Sequence, residues 1–157
     1  MRFRTPPIAD AIFRIEGLPA ALAAAPRDAI AMGWEERATP RARRRTDNGV
    51  EFGTALPRGT VLREGDCLAI DNPPLVIVVH ERAEPVLVAR PASSNEWALW
   101  GYHIGNSHQP LMITGDALVC PDMPAMAQVL HYHAIPYTRE LRPFMPVLQS
   151  PGHVTER

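Results

Sequence analysis

The sequence predicts an α+β chain, with a small all-β domain over residues 1–83 and a ferredoxin-like βαββαβ domain over residues 84–157. Three observations carry this. In the first half, turn signals recur every eight to twelve residues between short β-branched runs, the rhythm of a small sandwich or barrel. In the second half, the hydrophobic period alternates between strand-like and helix-like. Between the halves, Arg82-Ala-Glu-Pro85 breaks the composition.

Taken in order, Leu18-Pro-Ala-Ala-Leu-Ala-Ala-Ala25 fits a short helix or a loop equally well. Arg41-Ala-Arg-Arg-Arg45 reads as a solvated strand or a protein-docking face. It lacks the aromatic interleaving and the basic balance of a nucleic-acid patch. Val50-Glu-Phe52 follows the turn Asp47-Asn-Gly49, and Cys67-Leu-Ala-Ile70 follows Glu64-Gly-Asp66. Leu75-Val-Ile-Val-Val79 is a dense apolar run after Asp71-Asn-Pro-Pro74. Val86-Leu-Val-Ala89 is a strand closed by Pro91.

Ser93-Ser-Asn-Glu96 has capping-box spacing, and Trp97, Trp100, Gly101 and Ile104 then share one helical face. Gly105 is expected to stop that helix. Leu111-Met-Ile113 and Ala117-Leu-Val119 are strands joined by the hairpin turn Thr114-Gly-Asp116. Asp122 is expected to start a second helix, with Met126, Val129, Leu130 and His133 on one face and Pro136 as its end. Ile135 to Leu141 supply the last strand.

Composition narrows the function. The 157 residues carry a net charge of −1, so general binding to nucleic acid or to a membrane surface is not expected. All sixteen basic residues are arginine, which excludes Schiff-base lysine chemistry and a P-loop lysine. Cys67 and Cys120 share no CxxC spacing and read as two buried thiols in a reducing compartment. Cys120 beside Asp122 has no second cysteine nearby to make a soft-metal site. The apolar run before Ala25 is too short for a signal sequence, and no stretch approaches the ~20 apolar residues of a membrane span, so a cytoplasmic protein is expected. No HExxH, paired carboxylates or Ser/His/Asp set points to hydrolysis.

His108 is the most informative residue. It stands on an exposed turn after a helix, with no neighbouring acid or nucleophile to make it catalytic. An accessible imidazole suits nickel, copper and zinc, but one alone leaves such an ion short of donors. His103 precedes it by five residues, about 500° around a regular helix, so the two imidazoles should point apart and His103 should be packed or hydrogen-bonded. His131 and His133 suit a helix C-terminus, whose dipole favours a cation.

The stretch Tyr102-His-Ile-Gly-Asn-Ser-His108-Gln-Pro110 resembles the Tyr-His-Leu-Gly-Asn-Arg-His-x-Pro motif of the UreE urease accessory proteins. Asp47-Asn-Gly49, Leu56-Pro-Arg-Gly59, Leu62-Arg-Glu-Gly-Asp66 and Pro143-Phe-Met-Pro146 resemble further motifs of that family. The likeness runs from about Arg41 to His153. It implies a nickel carrier for urease that carries out no reaction, with an N-terminal β domain that docks proteins and a ferredoxin-like domain that dimerises. It also implies that His108 pairs with its mate in a homodimer to grip one nickel, zinc being acceptable at the same site. His153 would complete the shell. The implied partners are the urease accessory GTPase and the accessory complex on apo-urease.

The chain departs from the family in three places. Ser107 replaces an arginine, Asp122 and Pro124 replace a His-x-His pair, and no histidine tract follows Gly152. These departures favour an alternative, a protein-interaction module of the maturation complex with a vestigial metal site. Because imidazoles ligate only when neutral, nickel affinity should fall below about pH 6.

Overall fold

The computed structural model describes residues 5–147. The chain divides into two compact units, Met1–Arg82 and Ala83–Arg157.

The first unit builds two sheets around one core. Strands β1 (Ile8–Ala9), β4 (Arg41–Arg45) and β5 (Glu51–Ala55) form a sheet in the order β1-β5-β4. Strands β2 (Ile12–Phe13), β3 (Arg27–Met32), β6 (Cys67–Asp71) and β7 (Pro74–Glu81) form a second, in the order β2-β6-β7-β3. The pairs β1–β5 and β3–β7 are parallel, and the other pairs are antiparallel. Phe52 from one sheet and Ile30, Met32, Leu68, Ile70, Ile77 and Val79 from the other meet in a single buried cluster. The alanine-rich segment resolves into one helical turn, α1 (Ala20–Ala23), and a second turn, α2 (Trp34–Arg37), follows β3.

The glycines of the turn motifs work through their backbone. Gly49, Gly59 and Gly65 have φ of 90°, 83° and 79°, a region that a side chain disfavours. Leu56 and Leu62, each next to one of these turns, are fully buried, and Asp66 accepts from the Arg63 N–H at 2.7 Å. These family-like motifs therefore build the fold.

The second unit is the expected ferredoxin-like arrangement. Strands β8 (Ala83–Ala89), β9 (Met112–Ile113), β10 (Leu118–Pro121) and β11 (Thr138–Pro143) form an antiparallel sheet in the order β11-β8-β10-β9. Helices α3 (Ser94–Asn106) and α4 (Pro124–Tyr132) complete it. Leu87, Ala89, Leu118 and Cys120 of the sheet pack against Trp100 and Ile104 of α3 and Met126 and Leu130 of α4. Phe144 is fully buried, on a segment that returns toward β9, where the Val147 N–H donates to the Leu111 carbonyl at 2.7 Å.

Two helix boundaries differ from expectation. Helix α4 starts at Pro124, because proline suits the first helical position, whose N–H has no partner anyway. Asp122 is used elsewhere: its N–H donates to the Pro85 carbonyl and its carboxylate pairs with Arg139 at 3.1 Å. The helix also stops before Pro136. Ala134 takes φ 53°, its N–H donates to the His131 carbonyl, and the N–H of buried Ile135 reaches back to the Leu130 carbonyl at 2.9 Å. This is a Schellman stop with alanine where glycine is favoured. Ala134→Gly should therefore stabilise the chain by about 1 kcal/mol, read as a higher urea midpoint at unchanged slope.

A charge cluster ties β11 to the end of β8. Glu140 accepts from the Thr138 hydroxyl at 2.7 Å, from Arg90 at 2.8 Å and from Arg142 at 2.9 Å, and these donors hold its pKa at about 2 against an ordinary 4.5. A carboxyl depressed in the fold stabilises it fully above its ordinary pKa, and that contribution is lost as pH falls through the folded value. Thermal melts should show a loss between about pH 4.5 and pH 2 that shrinks in Glu140→Gln.

Candidate metal centre

Helix α3 is built to present its C-terminal end. At its start the Ser93 hydroxyl accepts from the Glu96 N–H at 3.2 Å, and the Glu96 carboxylate accepts from the Ala92 N–H at 2.6 Å. Trp100 and Ile104 anchor one face in the core, while Leu99 and Tyr102 stand 47% and 64% exposed on another.

Gly105 does not stop the helix, which runs through it to Asn106. The reversal is made by His108, whose φ is 55° and whose N–H donates to the Gly105 carbonyl at 3.1 Å. Histidine is one of the few side chains enriched in this left-handed region, although glycine is the usual occupant after a helix. The His108 side chain is exposed. Ser107, where the family motif carries arginine, donates its hydroxyl to the Ile104 carbonyl at 2.6 Å. It thus satisfies a helix-end acceptor and leaves the neighbourhood of His108 without an added charge.

His103 does not join His108. Its ring stacks on His133, with centroids 3.8 Å apart and planes inclined by 14°. Tyr102 and Tyr132 meet the two imidazoles edge-on at 5.5 Å and 4.9 Å. Sequence reasoning placed His133 at a helix end but missed this stack, since a contact between two helices has no signal in the spacing of either. His131 is exposed.

The remaining candidates are dispersed. Burial pushes the Cys120 thiol up to about 12, so it stays protonated in the core and is not available as a thiolate ligand. Pro124 has no donor to offer, and Asp122 is paired with Arg139. His153 lies outside the described residues. Among the described residues, no group of three or more His, Cys, Asp or Glu side chains is gathered as a metal cluster. The turn after α3 therefore offers one exposed imidazole, His108, which among the described residues belongs to no group of three or more His, Cys, Asp or Glu side chains. That donor set fits an ion whose shell is completed from elsewhere, and it does not fit a closed structural site.

No helix among the described residues is long and apolar enough to cross a membrane. A family model described as UreE urease accessory protein, N-terminal domain, matches residues 9–81, and its C-terminal counterpart matches residues 84–156. The chain is similar to the urease accessory protein UreE of Nostoc sp., 34% identical over 119 residues that cover 76% of this chain and 81% of that protein. It is 37% identical over 112 residues to the protein of the same name from Ralstonia nicotianae, covering 70% of this chain and 52% of that one. With the Burkholderia mallei protein of that name it shares 33% identity over 118 residues, covering 75% and 58%. The chain thus spans little more than half the length of the latter two relatives.

Proposed function

The chain belongs to the UreE urease accessory protein family, and on that premise we propose that it is a nickel carrier for urease maturation. In this reading it is a homodimer that holds one ion between the His108 imidazoles of its two copies. The observation that carries the reading is His108 itself, exposed and held in a left-handed conformation at the end of a helix whose other face is anchored in the core. A side chain costs about 1 kcal/mol in that backbone region, which glycine would avoid.

The exposed Leu99 and Tyr102 on the same helix suit contact with a second copy, which would bring two His108 side chains together. His153, on the C-terminal segment, is the natural supplement. Two imidazoles leave positions for water or for an acceptor's ligands, so the ion exchanges instead of being locked in. The chain makes and breaks no covalent bond. It hands its cargo to the urease accessory GTPase or to the accessory complex on apo-urease, while the first unit docks proteins.

Calorimetric titration of nickel into the full chain tests this. The expected result is binding near one nickel per two chains, lost in His108→Ala. A second reading, an interaction module of the maturation complex with a vestigial metal site, is favoured by the lack of a three-donor cluster among the described residues. Equal nickel binding by both proteins, or by neither, would select it.

A further inference from the structure

We propose that the first unit binds an extended acidic segment of a partner protein by strand addition, in the cleft between the free edges of β3 and β4. The proposal rests on the docking role given to this unit and is independent of nickel.

β4 is an edge strand, and its hydrogen bonds show which way its backbone faces. The Leu56 N–H donates to the Pro40 carbonyl and the Thr46 N–H to the Val50 carbonyl, so even-numbered residues face β5. Arg41, Arg43 and Arg45 therefore turn their N–H and C=O groups to the free edge. β3 is the edge strand of the other sheet. Its Met32 carbonyl accepts from the Arg82 N–H on the β7 side, while its Ala29 carbonyl accepts from the Asp47 N–H at 2.8 Å. Odd-numbered residues of β3 thus face β4. Beside the Asp47–Ala29 bond lies a cleft of about 490 Å³ lined by Ile30 and Ala31 of β3, by Ala42, Arg43 and Arg45 of β4, and by Glu35, Glu36 and Asp47, of which Glu36 is neutralised by Arg82 at 3.3 Å. Unpaired main-chain groups on facing strand edges are the features that strand addition uses.

Side chains select the partner. Arg41, Arg43 and Arg45 are exposed, and among the described residues only Arg45 has a carboxylate partner, Glu51 at 2.6 Å. Arg44 is turned to the other face, where it donates to the Met32 sulfur at 3.1 Å and the Glu36 carbonyl at 2.9 Å. Strand side chains alternate between faces, and opposite charges across a pair attract. An added strand would therefore carry carboxylates in its outward register and small apolar residues inward. A second copy of β4 would oppose arginine with arginine, which disfavours it.

A fluorescein-labelled hexapeptide alternating glutamate and valine, titrated by fluorescence anisotropy into the full chain, tests the proposal. Saturable binding is expected, weakened about fivefold to tenfold by Arg43→Glu. Binding should be lost when alternate peptide amides are N-methylated on the bonded edge, a control that leaves the protein intact. It should be unchanged in His108→Ala, which separates this site from the nickel site. Absence of binding, or binding indifferent to both N-methylation and Arg43→Glu, would overturn the proposal.

Discussion

Replacing His108 with glycine should stabilise the folded chain by about 0.5–1 kcal/mol while removing its nickel binding. The gain arises because His108 sits at φ 55°, where a side chain crowds the backbone and glycine does not. For a unit of this size that is a rise of several degrees in melting temperature. Ala134 takes φ 53° at the end of α4 with no functional claim on it, so Ala134→Gly serves as the matched control: similar stabilisation, nickel binding retained. A loss of stability in His108→Gly would mean that the imidazole makes contacts that outweigh its strain. Retained nickel binding would show that the ion is held elsewhere.

The other large effect is structural. Arg37 is fully buried in the first unit, its Nε donating to the Met32 carbonyl at 3.2 Å and its Nη1 to the Leu62 carbonyl at 3.4 Å and to Glu81 at 3.2 Å. One guanidinium thus joins the end of β3, the loop before β6 and the end of β7. Arg37→Met would fill much of the volume but leave two carbonyls and a carboxylate without this donor. Removing one partner of a buried pair costs about 3–5 kcal/mol. Glu81 retains 21% side-chain exposure, so water recovers part of its solvation and about 2–3 kcal/mol is expected. Urea unfolding should show the drop, and adding Glu81→Gln to Arg37→Met should cost little more, since the charge that lost its partner is then gone. An unchanged midpoint in the single variant would mean that Arg37 is dispensable to the fold.

Much of this fold was legible because its signals are local. The turns at Gly49 and Gly65 and the apolar runs of β6 and β7 stand where turn chemistry and β-branched content put them. β3 was hidden, because its inward positions are Asp28, Ile30 and Met32, and a buried aspartate breaks the expected alternation. Asp28 is accommodated by the Ala29 N–H at 2.7 Å and the Asn48 amide at 2.9 Å, partners that no local pattern reveals.

The stop of α3 was misplaced for a similar reason. Gly105 is the residue that by composition should end a helix, yet the left-handed turn falls three residues later on a histidine. The displacement puts a side chain where glycine is favoured, as Ala134 does at the end of α4. The candidate site was legible only as one residue. A ligand shell shared between two copies, as proposed, would leave no spacing pattern in a single chain, and the stacking of His103 on His133 is equally invisible to periodicity.

The most direct test of the account is a native mass spectrum of the full chain at increasing nickel. A dimer carrying one nickel ion, absent from the spectrum of His108→Ala under the same conditions, is the predicted result. Monomers that each carry their own nickel, or a nickel-loaded dimer that persists without His108, would contradict it.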